Sequence, residues 1–520
     1  MRKLQQVWLP VFLVSLAIGT ASAQSFRVQC PSSTITHPAT NNNNIESAYT
    51  GPTIFTSTNP GNPANGYLVP SGNVNGAIKC QQISGGDGFA TMADGTQTYM
   101  FSFGPLSGLA AISNGLAGTQ FPSAFNTQYS GTGPLQPGDP ATTVEGGGSF
   151  GFNGAVGQVP DLDNGGIIDG HVDPRTIMDV GVMNGNIPAP LMAIDEDDEY
   201  FLTLSNVGMI MRPDLFEQHT VHFHGYPNAS AFYDGVPDAS VAINIGGSFT
   251  YYYLAPDAGT YFWHCHITPP EHLQMGMVGQ LYVRPRQNRV SAGSSLYTAL
   301  QSQQNDLRTA CNSNDILCSN PLPAINTGAS GGGKYAYNDG DGSTAYDVEY
   351  PLQIHGFDPN FHFVGMTFNP EDFADMKDKY FLLNGRSYPD TVSAGPLATQ
   401  TADGKDHFSQ PLPSIISMTS GQKALLRISD LDVTEYQTLA SLGIRMHVVG
   451  YNAKLLRDQA GNNMDYYTNS ITLAGGESLD VILDSTGVPT GTYYLYTPQL
   501  DHLSNDAENF GGLMTEVRIN

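Results

Sequence analysis

From Asp179 onward the chain runs as short apolar stretches cut by glycine and proline. VGVMNGNIPAPLMAI leads into Glu199–Leu204 (EYFLTL), and the same signature recurs at Ala239–Ile245, Ser248–Leu254, Gly259–His264 and Met277–Val283. Short runs of this kind, bounded by turn residues, predict β-strands, and several in close succession predict a Greek-key sandwich. No long stretch repeats apolar residues every 3.6 positions, so a helical architecture does not fit.

Upstream the pattern is weak. Residues 24–94 are rich in Asn, Ser, Gly, Pro and Thr and read as an irregular N-terminal extension, with a first strand at Thr96–Phe103. The Gly-rich stretch over about 104–165 reads as a long insertion within a first domain, 95–287. Residues 288–345 read as a linker, with a short helix expected in QNRVSAGSSLYTALQSQQNDLRTA and a flexible GASGGGKYAYNDGDGS. NDGDGSTAYDVE is no EF-hand loop, because the sixth-position glycine is missing.

Residues 346–520 repeat the first β-block as a second domain. INIGGSFTYYYLAPDAGTYFWHCH (243–266) aligns with ITLAGGESLDVILDSTGVPTGTYYLYTP (471–498), and VHFHGY (221–226) with MHVVGY (446–451). His224 then faces Val449, and His264, Cys265 and His266 face Tyr496, Thr497 and Pro498. Only His447 and His502 stand where the first copy has His222 and His272.

Composition adds location and partners. Charged residues make up 13%, and the net charge is −26. That field disfavours nucleic acid and anionic membranes; it confers solubility, and as a second reading it would favour cationic partners such as metal ions or a basic electron-transfer protein. Arg2 and Lys3, an apolar run from Val7 to about Ile18, and Ala21-Ser22-Ala23 read as a signal peptide over 1–23. No later stretch is apolar enough to span a membrane. The expected location is exported, periplasmic or extracellular. Five cysteines leave one over in an oxidising compartment. Cys311 and Cys318 are expected to pair, Cys30 and Cys80 are candidates to pair, and Cys265 remains, flanked by histidines.

Cys265 is the centre of the chemistry. A thiolate, two imidazoles and a distant thioether form a blue-copper electron-transfer site. His219, Cys265, His272 and Met277 are the candidate ligands, with Met275 as the competing axial residue. Zinc is the competing metal. On a strand, residues i and i+2 share a face. His222 with His224, and His264 with His266, therefore make a four-histidine nest on the side of the strand opposite Cys265, a candidate second copper site.

HTVHFHG and HCHITPPEHLQMGM resemble the HxxHxHG and HCH…H…GM motifs of the multicopper oxidases, the laccase and ceruloplasmin family. NGNIPAPL, YDGVP, GGSFTYYY, AGTYFWH and YFLLNGRSYPDT resemble its framework, over about residues 179–287 and 346–520. The resemblance implies an all-β protein of two cupredoxin-like Greek-key sandwiches. It implies a copper-dependent oxidoreductase in which a small reductant or redox partner protein gives electrons through His272, near the surface, to Cys265. They would pass on by His264 and His266 to copper that reduces dioxygen. The family's trinuclear cluster takes eight histidines, whereas this chain offers four in these motifs. The missing ligands would come from another subunit, in a homo-oligomer, or from His355, His362, His447 or His502. A nitrite reductase-like enzyme and a non-catalytic blue-copper carrier are the alternatives.

Overall fold

The computed structural model describes residues 27–34, 37, 54–56, 67–69, 76–128, 154–225, 231–255, 257–303, 322–367, 372–402 and 404–520. The leader read at 1–23, the Cys311–Cys318 pair and residues 129–153 of the Gly-rich insertion lie outside them.

Two β-sandwiches make up the chain, as the motif resemblance implies. In the first, one sheet has the order Gln97–Pro105, Ile78–Thr91, Glu199–Gly208, Ser248–Leu254. The other has the order Met192–Asp195, Val278–Arg284, Gly259–His264, His222–Phe223. Alternate residues of each strand turn inward. Tyr200, Leu202 and Leu204 thus meet Phe101, Phe103, Tyr251, Trp263 and Leu281 in one buried core, which also holds Cys265, Met275 and Met277.

The second sandwich repeats the central pairings of this arrangement within larger sheets. Val348–Phe357 pairs in parallel with Lys423–Asp430, as Ile78–Thr91 does with Glu199–Gly208. Lys423–Asp430 then pairs antiparallel with Ser478–Asp484, the counterpart of Ser248–Leu254. Gly491–Tyr496 pairs with Met514–Ile519 as Gly259–His264 does with Val278–Arg284. The repeat of 243–266 in 471–498 is therefore a repeat of topology, but VHFHGY and MHVVGY are not counterparts. His222–Phe223 pairs with Gly259–His264, whereas Met446–Tyr451 pairs with Ser478–Asp484 in the opposite sheet, so His447 does not stand at the place of His222. The two units meet along Gly259–His264: Thr260 Oγ1 donates to Asp480 Oδ1 at 2.7 Å, and Ser478 Oγ donates to the Thr260 carbonyl at 2.6 Å.

The structure departs from the sequence reading in three places. Ile78–Thr91 lies in the segment read as irregular, yet it is a fourteen-residue strand inside the first sheet. Its glycines weaken the local strand signal, and they are there for close packing. A Cβ on Gly85 would stand 2.6 Å from the His219 ring, and one on Gly88 would stand 2.7 Å from the Gly185 carbonyl. Ala239–Ile245 forms no strand; a single bridge joins Ile243 to His219. The linker helix forms over Leu296–Gln303, but the segment read as flexible is packed. Tyr337 and Asp339 are buried, and Asp339 accepts hydrogen bonds from Gln287 Nε2 and from the amides of Asp341, Gly342 and Thr344.

Cys30 and Cys80 form a disulfide, and Cys265 is free and buried. No helix among the described residues is long and apolar enough to cross a membrane.

Candidate metal centres

The strand Gly259–His264 ends where the short helix Pro269–Gln274 begins, and this connection brings Cys265 and His272 face to face. His272 Nδ1 lies 3.3 Å from Cys265 Sγ, and His219 Nδ1 lies 4.0 Å from it on the other side. One donor atom from each of the three residues falls within 4.8 Å of the others, and all three residues are fully buried. Thr220 N–H donates to Sγ at 3.4 Å, and the Cys265 amide bonds to the Met277 carbonyl at 3.1 Å. Met277 and Met275 both lie in the surrounding core.

Burial alone would raise the Cys265 thiol, but His272 and His219 hold it well below its ordinary value. Burial opposes protonation of His272, yet the facing sulfur raises it to about 10. The metal-free pocket is thus set up for a thiolate beside an imidazolium, and a soft cation that takes the proton's place meets a deprotonated sulfur. A thiolate, two imidazoles and buried thioethers fit copper better than zinc, whose structural sites close with four Cys, His or carboxylate ligands. His272 is not itself at the surface. Its outer nitrogen, Nε2, faces the partly exposed Glu217 carboxylate at 3.8 Å.

The nest forms on the opposite side of the strand. Ring centroids of the pairs His222–His224, His222–His264, His222–His266, His224–His264 and His264–His266 lie 5.0–5.5 Å apart. Three of the four converge fully: one nitrogen each of His222, His224 and His264 falls within 4.8 Å of the others. His222 Nδ1 bonds to the Asp234 carbonyl at 2.7 Å and His264 Nδ1 to the Cys265 carbonyl at 2.6 Å. The His224 ring lies against Gly476 of the second sandwich, where an added Cβ would stand 2.7 Å from Nδ1. A ring that donates from Nδ1 to a carbonyl, as those of His222 and His264 do, keeps Nε2 as a lone-pair acceptor. Nε2 of His264 faces Nε2 of His224 at 3.0 Å, close enough for both to reach one cation. Burial and the neighbouring rings also depress His224 to about 4 and His264 well below its usual value, so both are neutral and available as ligands.

The other histidines offered by the sequence are engaged elsewhere. His447 bonds Asp465 at 2.9 Å, and His502 lies between Gln437 at 3.0 Å and Glu435 at 3.2 Å. His355 and His362 bond to backbone carbonyls. None joins the nest. Sequence reasoning missed Glu217, Asp234 and Gly476. Glu217 carries one signal, since it stands two residues before His219 and so shares its side of an extended chain.

The model of one family, multicopper oxidase, matches residues 169–288. This segment is similar to the multicopper oxidases. Over 116 residues it is 33% identical to the laccase abr2 of Aspergillus fumigatus, an alignment covering 22% of this chain and 18% of the relative. It is 34% identical over 109 residues to a copper-containing nitrite reductase of Rhizobium meliloti, covering 20% of this chain and 26% of that protein. The chain therefore spans less than a third of the length of these relatives. The blue copper oxidase of Nitrosomonas europaea aligns with a TM-score of 0.48 at 17% identity, covering 85% of each chain. Copper is the metal of the multicopper oxidase family, and the donor sets on both sides of Cys265 suit it.

Proposed function

We propose that this protein is an exported copper-dependent oxidoreductase of multicopper oxidase type, with dioxygen as electron acceptor. His219, Cys265, His272 and Met277 hold a blue copper, and His222, His224, His264 and His266 hold a second copper site. Copper supplies one-electron transfer at the first site and electron delivery to the acceptor at the second. The carrying observation is the position of Cys265. Its sulfur belongs to one centre, while its carbonyl accepts the Nδ1–H of His264 in the other at 2.6 Å. A single residue therefore links the two by bonds and by one hydrogen bond. A small reductant or redox partner reaches the first centre past Glu217, whose carboxylate faces His272. Reduction of one dioxygen to two waters takes four electrons and four protons, so the first centre must turn over four times per acceptor. Export fits the leader read at 1–23 and the Cys30–Cys80 disulfide.

A nitrite reductase-like reading has one observation in its favour. Three histidines converge while His266 stands outside that group, which suits a single three-histidine copper. The neighbouring cavity counts against it. About 450 Å³ in volume, it is lined by His224, Phe262 and Leu273 from one sandwich and by Asp432, Glu435 and Tyr436 from the other. Two carboxylates and no Lys or Arg on its wall repel an anion and admit a neutral molecule.

The test is copper per chain on the copper-loaded protein, with visible and EPR spectra and oxygen consumption. We expect a blue signal, additional copper and oxygen uptake with a phenolic or metal-ion reductant. One blue copper alone would reduce the protein to an electron carrier. Two coppers with nitrite turnover and no oxygen uptake would support the alternative.

A further inference from the structure

His355 and His362 belong to the second sandwich, on the strand Val348–Phe357 and the helix Pro359–Met366, and both are buried. Their rings reach across to the first. His355 Nε2 lies 2.9 Å from the Leu273 carbonyl, and His362 Nε2 lies 3.0 Å from the Gln274 carbonyl. The other nitrogen of His362 contacts the carbonyl of Tyr99 on Gln97–Pro105, so this ring bridges three elements. The Gln274 side chain is gripped at both ends as well: its nitrogen donates to Asp378 Oδ1 at 3.0 Å, and its oxygen accepts from the Asp358 amide at 3.0 Å.

All of this lands on Leu273 and Gln274, the two residues between His272 and Met275. The helix that carries them is six residues long, too short to hold its own shape. The position of His272 relative to the methionines is therefore set by whatever holds the end of that helix. Ser102 of the first sandwich holds the Gly276 carbonyl at 2.6 Å, but Leu273 and Gln274 are held from the sandwich that kept no copper motif.

We propose that His355 and His362 are positioning residues for the blue copper: they fix the Leu273–Gln274 segment from the second sandwich, and through it the spacing of His272 and the axial methionine. This rests on the assignment of His219, Cys265, His272 and Met277 as ligands. The weak axial contact tunes the potential of such a site. A loop released to shift therefore changes the potential and spectrum while the strong ligands still retain the metal.

The experiment compares two double variants of the full chain, His355→Leu with His362→Leu and His355→Gln with His362→Gln. On copper-loaded protein we would measure the equilibrium with a one-electron mediator, the blue absorption and the EPR spectrum. On metal-free protein we would measure amide hydrogen exchange over residues 271–277. The leucine pair should keep its blue copper and move the mediator equilibrium about tenfold, ~59 mV for one electron. It should also shift the absorption and speed exchange at 271–277. The glutamine pair keeps an N–H donor at each position and should return all three towards wild type. His502→Leu, buried in the same sandwich but away from the loop, should lower Tm and leave the potential alone. An unchanged potential and unchanged exchange in the leucine pair overturn the proposal, and so does an equal shift in potential from His502→Leu. If the leucine pair does not fold, the two single variants carry the same comparison. A wild-type protein that binds copper without a blue band removes the ligand assignment instead. The exchange comparison on metal-free protein then still decides whether these histidines hold the loop.

Discussion

The two sandwiches share a topology and differ in what fills the end of one strand. In the first, Gly259–His264 runs into Cys265, with His219 and His272 on either side of the sulfur. In the second, Gly491–Tyr496 runs into Thr497, and the histidine at the place of His272, His502, stacks on Phe381 at 3.8 Å between Gln437 and Glu435. The polar ring is satisfied by side-chain partners, as a buried imidazole without a metal must be. Its counterpart His272 turns Nδ1 to the Cys265 sulfur at 3.3 Å and Nε2 towards the Glu217 carboxylate at 3.8 Å. The same fold therefore tolerates either filling. The candidate copper centre is marked by a buried sulfur with imidazole nitrogens turned to it, not by the strands that carry them.

The sharpest way to break this contrast is at the sulfur. Cys265→Ser keeps the size of the side chain and removes the soft ligand. It should abolish the blue absorption and reduce turnover to background, while Tm of the metal-free protein changes little. A variant that stays blue would refute the assignment of the first centre.

Gly476→Ala strikes the other centre from the second sandwich. Gly476 has φ +89°, and a Cβ there would stand 2.7 Å from His224 Nδ1. The substitution pushes the His224 ring out of its place in the nest. Loss of such an outer contact typically weakens metal binding about 10–100-fold. Dialysis against a chelator should remove the additional copper from this variant and leave the blue copper in place. Loss of both together would mean that the centres are not separable.

These two residues also mark how far the sequence could be read. HTVHFHG and HCHITPPEHLQMGM were legible because side chains able to bind metal recur there at short, fixed spacings, and every candidate ligand except the axial methionine has a donor atom or ring in one of the two clusters. The repeat was legible because matched strands keep matched apolar positions. Ile78–Thr91 was not, because its glycines answer to His219 and Gly185, which are distant in sequence. Gly476 and the pair His355 and His362 were illegible for the same reason. Each acts across the interface between the sandwiches, and no local pattern records which backbone will lie opposite.

A smaller effect sharpens the axial position. Met277→Leu should keep the colour and raise the potential, moving the mediator equilibrium about tenfold, because the thioether is a weak ligand that favours Cu(II). Met275→Leu should leave it unmoved. The reverse outcome would assign the axial role to Met275, which is equally buried.

The smallest effect tests the buried His362 ring through pH. Burial depresses His362 to about 4 from its ordinary 6.5. Between those values the unfolded chain binds a proton there and the native chain does not. Stability from this group is therefore complete above about pH 6.5 and is lost as pH falls towards 4. Asp87, raised to about 6, and Glu196, raised to about 7, act in the opposite sense over much of the same range. The informative quantity is thus the difference between variant and wild type, not either curve alone. His362→Gln keeps a donor for the Gln274 carbonyl and cannot titrate. In metal-free protein it should flatten the fall in unfolding free energy below pH 6.5 by at most about 1.4 kcal/mol per pH unit, the slope of one proton. Parallel curves for His362→Gln and wild type would show that the ring holding the copper loop is protonated in the native protein, and that both of its nitrogens donate.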